Sequence, residues 1–264
     1  MITTAITADK GIPKAKLDQL SKQTFLPLLS SKINADYLLH ITTDYLELRK
    51  ITQAGKKQKI EAIHVDFVGG KTNHRRLHGG GKGQDIAKAV GLHKIKNPNI
   101  LDLTAGMGGD AFVLASLGAT VTMVERNLVV HALLNDALER AKLSADTVLQ
   151  EILARISLSN QDANETLTSL NPSIPSTLPD VIYLDPMFPA RNKSAQVKKE
   201  MQFFHDIVGD DDDSEALLLR ALKKAKKRIV VKRPRLADKL TSTLNPDYVI
   251  TGKSTRYDIY HPIK

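Results

Sequence analysis

Four consecutive residues, Asp185-Pro186-Met187-Phe188, follow the apolar run Val181-Ile182-Tyr183-Leu184 and could carry out one particular kind of chemistry. The exocyclic amine of a nucleobase is a poor nucleophile because its lone pair is drawn into the ring. Alkylating it requires that the lone pair be aimed. A carboxylate and the carbonyl of a following proline can accept the two amine protons, while an aromatic ring supports the face of a base taken out of its stack. Asp185, Pro186 and Phe188 are therefore the candidate catalytic residues. Asp-Pro after a strand is also an ordinary turn opener, so the neighbouring elements decide between the two readings.

From residue 99 onward short β runs alternate with helices, the pattern of a parallel, doubly wound α/β sheet. Strands are expected at 99–103, 120–124, 156–159, 181–184 and 229–231, with an antiparallel pair at 248–250 and 257–260. Helices are expected at 111–117, at 128–142 behind an Asn127 cap, and at 214–227, where acidic residues before the helix and basic ones at its end suit the macrodipole. In such sheets ligands bind beyond the carboxyl ends of the strands. Gly106, Gly108 and Gly109 fall at that edge and let the backbone pass close to a ligand. Glu125 ends the second strand and can accept both hydroxyls of a ribose, and Asp162, just past the third, can accept from an adenine amine. Gly106, Gly108 and Ala111 also satisfy the Gly-x-Gly-x-x-Ala spacing of a nicotinamide dehydrogenase. A dehydrogenase has no use for Asp185-Pro186-Met187-Phe188, whereas S-adenosylmethionine lacks a pyrophosphate and suits a broad glycine loop. A non-catalytic RNA-binding protein on the same fold is the alternative from another class, and Asp185, Phe188, Glu125 and the glycine turn weigh against it.

Composition bounds the rest. The 264 residues, 42% of them apolar, suffice for one large domain and a small appendage. No stretch approaches the roughly 18 to 20 uncharged residues of a membrane span, and residues 1–6 carry no signal pattern, so a cytoplasmic protein is expected. The absence of cysteine excludes disulfides, thiolate metal sites, iron-sulfur chemistry and the cysteine nucleophile of pyrimidine carbon-5 methylation. The eight histidines are read as lacking the His-x-x-x-His or Glu-paired spacing of a metal site, and no metal is expected. Residues 1–96 hold 17 basic against 8 acidic side chains, while residues 97–264 hold 21 of each, so the whole net charge of +9 lies in the first third. A basic segment ahead of a neutral catalytic body suits a polyanion-binding enzyme. Residues 1–65 read as a small α+β subdomain with a basic tract at 56–59 suited to a hairpin tip. Residues 66–98 read as a glycine-rich, basic, flexible linker followed by a short helix at 86–92, and residues 99–264 as the main domain. Lys193, Lys198 and Lys199 follow the Asp185 motif closely enough to grip phosphate.

Several segments together carry a family resemblance. Val65-Asp66-Phe67-Val68-Gly69-Gly70, His74-Arg75-Arg76, Gly79-Gly80-Gly81-Lys82-Gly83, the run from Asp102 through Gly109-Asp110 to Ala115, Glu125-Arg126-Asn127, Tyr183 to Pro189, Val230-Val231-Lys232-Arg233-Pro234 and Arg256-Tyr257-Asp258-Ile259-Tyr260 resemble the ribosomal RNA small subunit methyltransferase J family. The resemblance implies a Rossmann-like class I S-adenosylmethionine-dependent methyltransferase sheet with a small N-terminal α+β subdomain. It implies a cytoplasmic enzyme that methylates the exocyclic N2 of one guanosine in 16S ribosomal RNA, presented as RNA or as the small ribosomal subunit. Carried onto this chain, it implies cofactor contacts at Gly109, Asp110, Glu125, Arg126, Asp162, Ala163 and Asp185, with Asp102, Gly106 and Gly108 in the same set.

Overall fold

The computed structural model describes residues 3–31, 33–54, 57–187, 206–209 and 213–263. The chain forms two compact units. One gathers the residues up to Asp66 with Asn127–Leu143, and the other holds Phe67–Arg126, residues 144–187 and the described residues from 213 onward.

The first unit is built on a four-stranded sheet of β1 (Thr4–Ala8), β2 (Tyr37–Ile41), β3 (Leu46–Ala54) and β4 (Lys57–Ile63), in that order. β1 and β2 are parallel, which requires a crossover, and helix α1 (Lys14–Thr24) lies in that connection. β3 and β4 form an antiparallel hairpin with Ala54 opposite Lys57. Gly55 and Lys56, at the expected hairpin tip, lie outside the described residues. Helix α5 (Leu128–Lys142) belongs to this unit too, and starts where expected because the Asn127 side chain accepts from the N–H groups of Val129 and Val130 at 3.0 and 3.2 Å. Its Asp136 accepts from the backbone N–H of Leu46 at 3.1 Å, and Arg140 donates to the carbonyl of Val65 at 2.5 Å, tying helix to sheet.

The second unit holds seven strands: β5 (Asn99–Asp102), β6 (Thr120–Val124), β7 (Ile156–Ser159), β8 (Val181–Leu184), β9 (Arg228–Pro234), β10 (Tyr248–Thr251) and β11 (Thr255–Tyr260). Their order is β10-β11-β9-β8-β5-β6-β7. β5 to β9 run parallel, and β11 is antiparallel to both β9 and β10, between which it lies. The α/β class and the mainly parallel sheet expected from the alternating pattern are both present. β8 is buried along its whole length, as a strand covered on both faces must be. Leu101, Ile182, Leu184, Ile229 and Val231 form one core with Leu217, Leu218 and Ala221 of helix α8 (Ser214–Ala221). β6 and β7 continue from one side of β5, β8 and β9 from the other, so the strand order reverses at β5 and opens a crevice at its carboxyl end.

Two expectations are corrected here. The tract read as a flexible linker contains helix α2 (Gly70–His78), because the stretch from Thr72 to His78 holds no glycine and the flanking Gly69 and Gly79 bracket it; Gly79 N–H closes the last turn on the Arg75 carbonyl at 2.9 Å. Helix α8 stops at Ala221 and not at 227, since the N–H groups of Lys226 and Lys227 already donate to the carbonyls of Pro179 and Asp180 at 2.9 and 3.0 Å to align β9 beside β8. The ammonium groups of Lys226 and Lys227 accordingly face Asp180 at 3.8 and 3.5 Å and not a helix end. Helix α3 (Asp85–Val90) leads into β5, helix α4 (Gly109–Ser116) follows it, and helices α6 (Thr147–Leu153) and α7 (Ala163–Ser169) flank β7. Phe67 stacks on Phe112 of α4 with centroids 4.9 Å apart. Among the described residues no helix is long and apolar enough to cross a membrane.

Gly91 ends α3 at φ +80°, and a β-carbon there would stand 2.8 Å from the guanidinium carbon of Arg228, whose Nη1 donates to the Ala89 carbonyl at 2.8 Å. Gly91→Ala is expected to cost about 2–3 kcal/mol in urea unfolding, combining left-handed strain with displacement of a half-buried cation. A loss below about 0.5 kcal/mol would contradict this account of the α3 terminus.

Candidate active site

The loop from β5 into α4 gathers three strand ends by hydrogen bonds. Ala105 N–H donates to the carbonyl of Val124 at the end of β6 at 3.2 Å, and Gly106 N–H to Glu125 Oε2 at 3.0 Å. Thr104 Oγ1 accepts from the backbone N–H of Asp185 at 2.6 Å, just past β8. Gly106 and Gly108 take φ values of +53° and +70°, which carry the chain over the crevice and into α4. No atom lies within 4 Å of the point where a β-carbon on Gly106 or Gly109 would stand. The backbone there is open to close approach by a ligand.

Four carboxylates meet around this loop. Asp102, 2% exposed at the end of β5, accepts from Thr104 N–H at 3.1 Å. Burial pushes its pKa up to about 8; the Thr104 N–H opposes the shift, and the nearby charges of Asp110, Asp185 and Glu125 add to it. Glu125 is also buried and holds the loop through Gly106. Asp110, in the first turn of α4, accepts from Arg75 of α2 at 2.6 Å through Oδ1, and from the Tyr183 hydroxyl at 2.7 Å and Lys232 at 2.8 Å through Oδ2. Burial would raise its pKa, but Lys232 and Arg75 outweigh burial and hold it well below the usual carboxylate range. Asp185 accepts from the same Lys232 at 2.7 Å. Burial favours neutral Lys232, yet Asp185 and Asp110 overcome it and keep the ammonium charged far above its ordinary range. Burial and the neighbouring Asp110 also raise the Tyr183 hydroxyl well above its usual value.

Asp102, Gly106, Gly108, Gly109, Asp110, Glu125, Asp185 and the buried Pro186 thus stand along one edge of the sheet. Asp162 lies past β7 as expected, where its Oδ1 caps α7 by accepting from Asn164 N–H at 2.8 Å and Glu165 N–H at 3.4 Å. Arg126 reaches Asp213 at 3.3 Å and Asp162 at 3.8 Å, and Ala163 is buried in the first turn of α7. Phe188, Lys193, Lys198 and Lys199 lie outside the described residues. Sequence reasoning assigned no site role to Thr104, Tyr183, Lys232 or Arg75. The available signal for Lys232 was a lysine directly after the apolar run Ile229-Val230-Val231, and for Arg75 its place in the basic tract and in the His74-Arg75-Arg76 segment of the family resemblance. The histidine reading also needs correction: His74 and His78 stand one helical turn apart on α2, with ring centroids 4.8 Å apart.

This site belongs to a chain with well-matched relatives. The family described as "Putative SAM-dependent methyltransferase" matches residues 20–262. Ribosomal RNA small subunit methyltransferase J of Coxiella burnetii (strain RSA 493 / Nine Mile phase I) is 46% identical over 259 residues, covering 98% of this chain and 96% of its own. The protein of the same name from Cellvibrio japonicus (strain Ueda107) is 50% identical over 213 residues, covering 80% and 78%. The crystal structure of a SAM-dependent methyltransferase from Neisseria gonorrhoeae is 37% identical, covers 98% of this chain and 96% of its own, and superposes with a TM-score of 0.73. With the family match spanning most of the chain and the α/β sheet shared with a solved relative, the chain belongs to the ribosomal RNA small subunit methyltransferase J family of S-adenosylmethionine-dependent methyltransferases.

Proposed function

We propose that this chain transfers the methyl group of S-adenosylmethionine to the exocyclic N2 of a guanosine in 16S ribosomal RNA. One observation carries the reading: Asp185-Pro186 stands at the carboxyl end of β8, its main chain tied to Thr104 at 2.6 Å and its carboxylate held on Lys232 at 2.7 Å. The relatives' names support small-subunit ribosomal RNA as the substrate class, and the Asp-Pro pair supports an amino group as the acceptor. An enzyme of ribosomal RNA works in the cytoplasm, which is the location proposed for this chain.

The residues present suit the cofactor. Asp110, Glu125 and Asp185 outnumber Lys232 and Arg75 around the glycine loop, and Asp102 adds a further negative charge once it ionises, so the crevice favours a cation. S-Adenosylmethionine is such a cation and, when bound, supplies an electrophilic methyl group on its sulfonium. The open backbone at Gly106 and Gly109 accommodates its amino-acid portion, and Glu125 accepts the ribose hydroxyls. Asp162 and Ala163 then border the adenine, with Arg126 beside them.

Asp185 and the Pro186 carbonyl accept the two protons of the guanine amine and turn its lone pair toward the methyl carbon, while Phe188 supports the face of the base. The nitrogen attacks in line. A C–N bond forms as the C–S bond breaks with its electron pair left on sulfur, and S-adenosylhomocysteine is released. The alkylated nitrogen, now acidic, gives one proton to Asp185 or to water. Positioning supplies most of the acceleration.

Incubation with labelled S-adenosylmethionine and unmodified 16S RNA, assembled small subunits or duplex DNA, followed by digestion to nucleosides, is expected to yield N2-methylguanosine from an RNA substrate. Label in adenosine or in DNA would overturn the substrate. Asp185→Ala is expected to lower turnover about 1,000-fold while RNA affinity changes less than about threefold, and equal losses in both would remove its assigned role. Asp102 generates a pH dependence. Its raised pKa means that cofactor-free protein holds a proton there below about pH 8, and a bound cation expels it. S-Adenosylmethionine affinity is therefore expected to rise as pH increases toward 8 and then level off, with Asp102→Asn flattening the slope in calorimetric titrations. A flat wild-type profile would separate Asp102 from the cofactor.

A further inference from the structure

The carboxyl end of β8 and its neighbour β9 run parallel, with Leu184 opposite Val231. One residue further along this register, Asp185 stands beside Lys232, whose ammonium bridges Asp185 Oδ2 at 2.7 Å and Asp110 Oδ2 at 2.8 Å. Asp110 is in turn held by the Tyr183 hydroxyl at 2.7 Å and, through Oδ1, by Arg75 at 2.6 Å. Two cations and two carboxylates make a neutral set, and Lys232 is the member that touches both acids.

Building on the reading of Asp185 above, we infer that Lys232 is the positioning residue for Asp185, and that Asp110 anchors Lys232 through Arg75 and Tyr183 instead of binding the cofactor. Both Asp110 oxygens are engaged by these three donors. Partly buried ion pairs of this kind add little stability over apolar packing, because forming them gives up hydration. The network fits a chemical requirement. An amine becomes acidic only after it has been alkylated, so the residue that aims it must be a firm acceptor and need not be a strong base. A carboxylate paired with an ammonium at hydrogen-bond distance meets that description. Lys232 also separates two carboxylates which, with Asp102 and Glu125 close by, would otherwise repel each other. The remaining titratable groups that face this set are Arg75 on α2, Tyr183 on β8 and Tyr257 on β11, the last pushed up to about 12 by burial and by Asp110.

The test compares wild type with Lys232→Met, Lys232→Arg and Asp110→Asn, after circular dichroism has established that each is folded. Cofactor affinity is measured by calorimetry, and single-turnover methyl transfer is followed from pH 5 to 9. Lys232→Met is expected to slow transfer about 100-fold while changing S-adenosylmethionine affinity less than about threefold. Its acid limb should move up by about one pH unit, because Asp185 protonates more easily without the neighbouring cation. Lys232→Arg is expected to restore the limb and part of the rate. Asp110→Asn should behave like a weaker Lys232→Met, again with affinity retained. Loss of cofactor affinity in step with rate, in either variant, would overturn the inference in favour of direct cofactor binding. A uniform loss at every pH without rescue by arginine would leave Lys232 a merely structural residue. Carbon-13 carboxyl titration of Asp185 in wild type and Lys232→Met needs no turnover, so it separates failure of this inference from failure of the proposed methyl transfer. An upward move of the Asp185 midpoint in the variant is expected, and an unmoved midpoint would overturn the inference whichever base is methylated.

Discussion

Four acidic side chains crowd the carboxyl edge of one sheet, and two cations, Lys232 and Arg75, bind two of them, Asp110 and Asp185. Most other features of the catalytic unit can be understood from that constraint. Like charges this close repel, and each carboxylate meets the difficulty differently: Asp102 by keeping its proton, Asp110 and Asp185 by sharing Lys232, Glu125 by clasping a backbone N–H of the glycine loop. The four acids are therefore unequal despite their proximity. Their differences come from which strand or helix delivers each one and what that element brings with it.

The glycine loop is the mechanical counterpart of this electrostatic arrangement. It is tied to the ends of β6 and β8 through Ala105, Gly106 and Thr104, so three parallel strands meet their loops in one fixed geometry. The reversal of strand order at β5 provides the crevice, and the loop fixes its walls. Helix α2 reaches the same place from outside the sheet, and Arg75 makes its basic surface part of the acidic centre. A segment rich in positive charge can thus serve as internal counter-charge as well as a surface for polyanions.

The sheet was legible in the sequence wherever strands are short apolar runs bounded by turn residues. The runs at 120–124, 156–159 and 181–184 match β6, β7 and β8 residue for residue, and the Asn127 cap lies where its side-chain chemistry requires. Strands β1 and β3 were less legible because Thr4, Thr7, Glu47, Arg49 and Lys50 break their apolar pattern, although Glu47 is buried and the others are half-buried. α2 was hidden by its flanking glycines, and the end of α8 by a run of lysines that belongs to the turn before β9. At the site, Glu125, Asp162 and Asp185 could be read from their places at strand ends, while Asp102 and Asp110 entered with the family resemblance. Lys232 and Arg75 could not be read in this way, because their importance arises only when β9 and α2 are brought against α4. Asp162 shows the converse: a residue marked by its position also satisfies the local demand of a helix start.

One feature of the sheet bears on how the protein is made. β11 lies between β9 and β10, although it follows both along the chain. During synthesis β10 is made before the strand that joins it to the sheet, and β9 has one edge unpaired until then. The strand carrying Lys232 therefore gains its second neighbour only once residues 255–260 are available, so full pairing of β9 waits on the last strand of the sheet to be made.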